Sequence, residues 1–199
     1  MNDVVPLKDT NVLRKLRSMR LLLIHPDEPE RQIFIDHLNR IGCKAESAWP
    51  APDNLPENID VVLFVLNKTN DKGALTWVVN SEIITRIAII SFETPEILTE
   101  LERLNVHGVL SKPIRLFGVL AAINTAISLS RYENRLKQRV RSLDETLKAR
   151  RKIEQAVSIL AVTKKITEAQ AYKLLREKSQ NSKTPIVELV EAIITASDI

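Results

Sequence analysis

Four short apolar runs punctuate the first half of the chain: MRLLLI (19–24), DVVLFVL (60–66), RIAIIS (86–91) and HGVLS (107–111). Each is rich in Val, Ile and Leu and continuous rather than alternating, the pattern of parallel strands covered on both faces. A further segment, CKAESAW (43–49), alternates instead and reads as an edge strand. Helical spacing fills the gaps. EPERQIFIDHLNRIG places Ile33, Phe34, Leu38 and Ile41 on one face and closes on Gly42, which suits a left-handed stop. TPEILTELERLNVHG opens with Thr94 and Pro95, a cap followed by a first-turn proline, and then carries Ile97, Leu98, Leu101 and Leu104. Strand and helix alternate, so the fold class is α/β, with five parallel strands and helices on both faces.

The pattern changes after Pro113. No proline follows until Pro185, and Gly118 is the single glycine in between, so a long helix is predicted. Within it Leu129, Leu136, Val140, Leu143 and Leu147 follow a 7-4-3-4 spacing, flanked by the charged stretch RLKQRVRSLDETLK. A narrow apolar seam with charged flanks is a coiled-coil signature, and the simplest partner is an identical helix. The last fifty or so residues read as a small helical unit. RRKIEQAVSILAV carries Ile153, Ala156, Val157 and Leu160; TEAQAYKLLREKS pairs Thr167 with Gln170 as a capping box; TPIVELVEAIITA starts from Pro185. The predicted organisation is an N-terminal segment (1–17), the α/β domain (18–115), a coiled-coil helix (116–149) and a C-terminal helical bundle (150–199).

Composition adds bounds. A hydrophobic share of 44% and a charged share of 27% belong to a globular protein rather than a disordered one. Cys43 is the lone cysteine, so an internal disulfide is excluded and a reducing compartment is expected. The first residues lack a signal-peptide core and no window is apolar enough to span a membrane, so a cytoplasmic location is expected. Charge is uneven. Residues 1–130 hold 14 Lys+Arg against 16 Asp+Glu, whereas 131–199 hold 15 against 9. A basic tail behind a near-neutral front suggests a polyanionic partner.

The carboxyl ends of parallel strands are where an α/β active site would lie. They offer His25, Asp27 and Glu28, then Asn67, then Ser91 and Glu93, and finally Lys112 in GVLSKPI (108–114). No nucleophile there has an evident base. A glycine-rich phosphate loop is absent, and His25, His37, His107 and Cys43 show no metal-ligand spacing. The expectation is a protein without enzymatic activity, cofactor or metal.

The strand order and the Ser91…Lys112-Pro113 pattern resemble the receiver domain of bacterial response regulators over roughly residues 18–130. In that family an acidic pair follows the first strand and a phosphoacceptor aspartate ends the third. Matched by position, the acidic pair falls on His25 and Pro26, with Asp27 one step beyond, and the phosphoacceptor falls on Val65. Valine cannot take a phosphoryl group, and one displaced carboxylate is a poor Mg²⁺ site. The resemblance is therefore to a pseudo-receiver with a degenerate phosphorylation site. The tail resembles the ANTAR RNA-binding domain in RRKIEQAVSIL, TEAQAYKLLREKSQ and IVELVEAII. The spacing of Ala156, Ile159, Leu160, Glu168, Ala171, Tyr172, Leu175, Arg176, Ser179 and Gln180 carries it. Ser158 stands where glycine is common in that family, and Ala161 where methionine is common. Together the parts resemble the AmiR-type transcription antiterminators.

That resemblance implies a homodimer that binds hairpins in nascent leader mRNA and blocks a terminator. It also implies control by an amide-sensing negative-regulator protein and a place upstream of an amidase operon. Recognition of unstacked loop bases needs cations for phosphate and polar or aromatic groups for the bases. The candidates for charge are Arg150, Arg151, Lys152, Lys164, Lys165, Lys173, Arg176 and Lys183; those for base contact are Tyr172, Ser179 and Gln180. Two other classes stay open at this point: a DNA-binding regulator, weakened by the lack of a glycine turn between helices, and a signalling adaptor whose basic tail binds an acidic protein.

Overall fold

The computed structural model describes residues 14, 16–67, 75–81 and 83–197; most of the N-terminal segment assigned to 1–17 lies outside them. Five parallel strands form one sheet: β1 (Arg20–Ile24), β2 (Lys44–Ala48), β3 (Val61–Leu66), β4 (Thr85–Ile90) and β5 (Gly108–Ser111), in the order β2-β1-β3-β4-β5. This is the doubly wound order whose crevice lies outside the carboxyl ends of the strands, where the winding reverses. The predicted edge strand takes the edge and has no fully buried residue, whereas β3 and β4 are buried at every position.

Helices explain the continuous runs. Helix α1 (Pro29–Ile41) packs Phe34 and Leu38 against Leu21, Leu23, Val61, Leu63, Val65, Ile87 and Ile89. The start of α4 (Val119–Lys164) covers the same sheet face through Val119, Ile123, Ala126 and Ile127. The alternate residues Leu22, Ile24, Val62, Phe64, Ala88 and Ile90 face Val78 of α2 (Thr76–Asn80) and Ile97 of α3 (Pro95–Arg103). Helix α1 ends where predicted: Gly42 is left-handed at φ 100, and a side chain there would also meet Arg17. Thr94 caps α3, accepting from the Ile97 amide at 3.4 Å. Ile33 and Leu98, counted among the apolar helix positions, prove exposed.

One buried polar cluster has no counterpart in the sequence reading. Arg86, in the middle of the sheet, is 3% exposed and donates to the Val78 and Val79 carbonyls at 3.3 and 3.4 Å. Burial pulls its guanidinium below its ordinary pKa, with Glu133 partly offsetting this. The Arg86 amide donates to His107 Nδ1 at 2.9 Å, so the ring hydrogen sits on Nε2, which faces Glu133 Oε2 at 3.1 Å. The start of β5 is thereby tied to α4.

Residues 136–199 form a second compact unit. Helix α4 runs through 149/150 without a break and is followed by α5 (Glu168–Ser182) and α6 (Ile186–Ser197). Ala156, Val157, Ala171, Leu175 and Val190 form its core, with Ile153, Leu160, Ile166 and Ile193 packed around them. Leu174, beside Leu175 on α5, is exposed. The capping box at the start of α5 is complete: Thr167 Oγ1 accepts from the Gln170 amide at 3.3 Å, and Gln170 Oε1 accepts from the Thr167 amide at 3.0 Å. Thr167→Ala should therefore cost about 1 kcal/mol. The check is hydrogen exchange at the first amides of α5, which should lose roughly fivefold in protection. Unchanged protection would mean the cap contributes nothing.

Candidate nucleic-acid interface

The tail positions its basic and aromatic groups through its turns and helix faces. Both turns carry a lysine in the left-handed conformation: Lys165 at φ 53 after α4, and Lys183 at φ 52 after α5. Lys164, Lys165, Arg151, Arg176 and Lys183 are all exposed and make no ion pair among the described residues. Other candidates are engaged. Arg150 Nε lies 2.9 Å from Glu154, Lys152 Nζ lies 2.6 Å from Glu191, and Lys173 Nζ lies 3.9 Å from Glu177. These are exposed pairs, worth little and easily exchanged for another anion.

Tyr172 is 47% exposed, so its ring is not core. It lines a groove of about 800 Å³ between α4 and α5, together with Arg150, Ile153, Glu154, Val157 and Glu168. An aromatic face, a cation and two carboxylates on an apolar floor match what an unstacked base needs: a stacking surface, phosphate neutralisation and acceptors for amino groups. Gln180 is exposed on α5. The Ser179 hydroxyl donates to the Thr184 carbonyl at 2.7 Å and so helps close the α5 turn. Leu129, Leu136, Val140, Leu143 and Leu147 are between 46% and 64% exposed, an apolar stripe left open along α4.

At the carboxyl end of the sheet the structure gathers some of the named residues and not others. His25 is wholly buried, its Nδ1 donating to the Pro26 carbonyl at 2.9 Å. Asp27 turns outward to Arg31. Val65 is buried against the sheet face, and Ser91 is half-buried just after β4. Lys112 lies 3.1 Å from both Glu28 Oε2 and Glu30 Oε2, and the bond from it to Pro113 is cis. Glu30 was missed as its partner; it sits in the first turn of α1, which aims it back at the strand ends. Burial raises the Glu30 pKa, but the Ile114 amide at 2.7 Å and the Lys112 ammonium outweigh this and hold it below the usual carboxylate value.

Residues 19–127 match the family model described as AmiR, N-terminal. The chain belongs to the AmiR family. Residues 141–194 match the ANTAR domain, so both sequence resemblances hold. Across 92% of this chain and 95% of its own length, the aliphatic amidase regulator of Pseudomonas aeruginosa is 25% identical. A Burkholderia pseudomallei response regulator, crystallised with a phosphorylated aspartic acid, calcium and citrate, is 16% identical at a TM-score of 0.44. That match covers 75% of this chain and 94% of the other. A pilus assembly-related protein from the same organism is 12% identical at a TM-score of 0.48, covering 57% and 92%. Both scores are low, and the receiver-like fold rests on the sheet order and the family. The AmiR-family chain is thus a regulatory protein: a receiver-like domain, a long helix and an ANTAR unit of the RNA-binding antitermination type. Among the described residues no helix is long and apolar enough to cross a membrane.

Proposed function

We propose that this protein acts as a cytoplasmic homodimer that binds paired hairpins in a nascent leader mRNA and thereby prevents termination, ahead of an amidase operon. The observation that carries the reading is the groove of the ANTAR unit, which exposed Tyr172 and Arg150 line together. Tyr172, with Gln180, meets loop bases; Arg151, Lys164, Lys165, Arg176 and Lys183 neutralise phosphate, and the exchangeable Arg150, Lys152 and Lys173 add to them. Ser179 contributes by setting the turn that displays Lys183. The seam from Leu129 to Leu147 pairs two copies, which matches two binding units to two hairpins.

Control comes from sequestration by an amide-sensing negative regulator rather than from phosphorylation. Support lies in the degenerate site: Val65 offers no acceptor oxygen, Asp27 is committed to Arg31, and Lys112 is held by two glutamates. The test is a gel-shift titration with a leader transcript carrying tandem hairpins, a single-hairpin control and duplex DNA of the same sequence. Tight, salt-dependent binding to the tandem transcript alone is expected. Preference for the duplex would replace this reading with a DNA-binding one, and indifference to all three with a protein-binding adaptor.

A further inference from the structure

We propose that His25, Glu28 and Glu30 form a divalent-metal site at the carboxyl end of the sheet, for a borderline ion of the Zn²⁺, Co²⁺ or Ni²⁺ class. The ligand atoms of these residues all lie within 4.8 Å of one another. The site lies in the α/β domain and shares no residue with the RNA-binding groove.

His25 decides the chemistry. Its ring is wholly buried, and Nδ1 lies 2.9 Å from the Pro26 carbonyl. A carbonyl can only accept, so Nδ1 carries a hydrogen and Nε2 is the nitrogen left to ligate. That atom is buried without a hydrogen-bond partner and points toward Glu30 Oε2 at 3.7 Å. A metal ion held between Nε2 and the Glu30 carboxylate would give both a partner. The arrangement is also the usual one of a metal-binding histidine, whose second nitrogen is fixed by a backbone carbonyl so that the first is presented to the ion. Two ligands on a tetrahedral zinc ion with bonds of ~2.0–2.1 Å lie about 3.4 Å apart. The observed separation is within a small side-chain adjustment of that.

The glutamates are set by helix geometry. Glu28 precedes α1 as its N-cap and Glu30 lies in its first turn, so both carboxylates return to the end of β1. Glu30 Oε1 is further oriented by the Ile114 amide, which leaves Oε2 for the ion. Lys112 is the competitor: its ammonium already neutralises both carboxylates at 3.1 Å. A metal ion can accept from Nε2 and both carboxylates together, and binding then exchanges the tethered cation for a doubly charged one. Imidazole ligation selects the Zn²⁺, Co²⁺ and Ni²⁺ group over Mg²⁺, which wants six oxygens in strict octahedral order.

The test is titration of the untagged full-length protein with Co²⁺ alone, followed by visible absorption. One ion per chain with a tetrahedral or five-coordinate ligand-field band is expected, displaced by Zn²⁺ and unaffected by Mg²⁺. Glu30→Gln should weaken binding at least about tenfold, and His25→Ala should remove the band. Because His25 is in the core, Glu28→Gln combined with Glu30→Gln serves as the second variant, leaving the buried ring in place. Lys112→Ala should tighten binding by about tenfold, since a competing positive charge is lost. His37→Ala, at a half-exposed histidine of α1, should change nothing. The proposal is overturned if no band forms, if the double glutamate variant binds as the parent does, or if His37→Ala is the change that abolishes it.

Discussion

Replacing Leu143 by glutamate should split the proposed dimer and take tight binding of tandem hairpins with it. Leu143 is 57% exposed, and its seam neighbours Leu136, Val140 and Leu147 are open to a similar degree. An isolated chain has no reason to keep leucine at these positions, because apolar area left in water contributes nothing and lowers solubility. Paired across a seam, each leucine gains roughly 1.5–3 kcal/mol from burial. Leu143→Glu acts twice in a symmetric dimer and also places two carboxylates in one layer. The loss is about 3–6 kcal/mol, or on the order of 10²–10⁴-fold in the dimerisation constant. Analytical ultracentrifugation at micromolar protein should show a monomer with unchanged helical circular dichroism. Single-hairpin binding should survive while the advantage of a tandem transcript disappears, since that advantage is an effective-concentration effect of linked sites. A dimer that persists in Leu143→Glu would place the self-association surface elsewhere.

What the sequence made legible, and what it hid, follows from where each signal is stored. The strands were readable because both faces are covered: a run such as VVLFVL has no polar residue to dilute it. The turns were readable from single residues, Gly42 and Thr94 at one level and the Thr167–Gln170 pair at another. Helix α2 was not, because TWVVN is too short for helical spacing to separate it from a loop. Longer-range polar partners were hidden altogether. Lys112 holds Glu28 and Glu30, the latter from 82 positions away in the chain. The Arg86, His107 and Glu133 cluster is likewise a product of topology, joining a strand, a loop and a helix that carry no shared motif. For the candidate interface, the residue types were visible in the tail, but which cations are paired and that Tyr172 faces a groove required the packing of α4 on α5.

That distinction sets the sharpest test of the proposed interface. Arg151, Arg176 and Lys183 are exposed and unpaired among the described residues, so changing all three to alanine removes charge without stranding a partner. Lys183→Ala adds no backbone strain, because alanine and lysine meet the same cost at φ 52. If each cation neutralises one phosphate of a loop, the slope of log K against log salt should fall by about 2, at ~0.7 per single-strand contact. At ~0.15 M salt the same counterion release amounts to roughly fourfold per contact, or about 50-fold for the triple variant. Lys152→Ala with Lys173→Ala should do less, since the charge of each lysine is already partly offset by its glutamate partner. Tyr172→Leu provides the contrast: it should weaken binding through lost stacking, on the order of 1–3 kcal/mol, with the salt slope intact. Affinity and slope therefore separate the two halves of the interface. A triple variant that keeps its slope would show that these cations face solvent, and that phosphate is met by another side of the bundle.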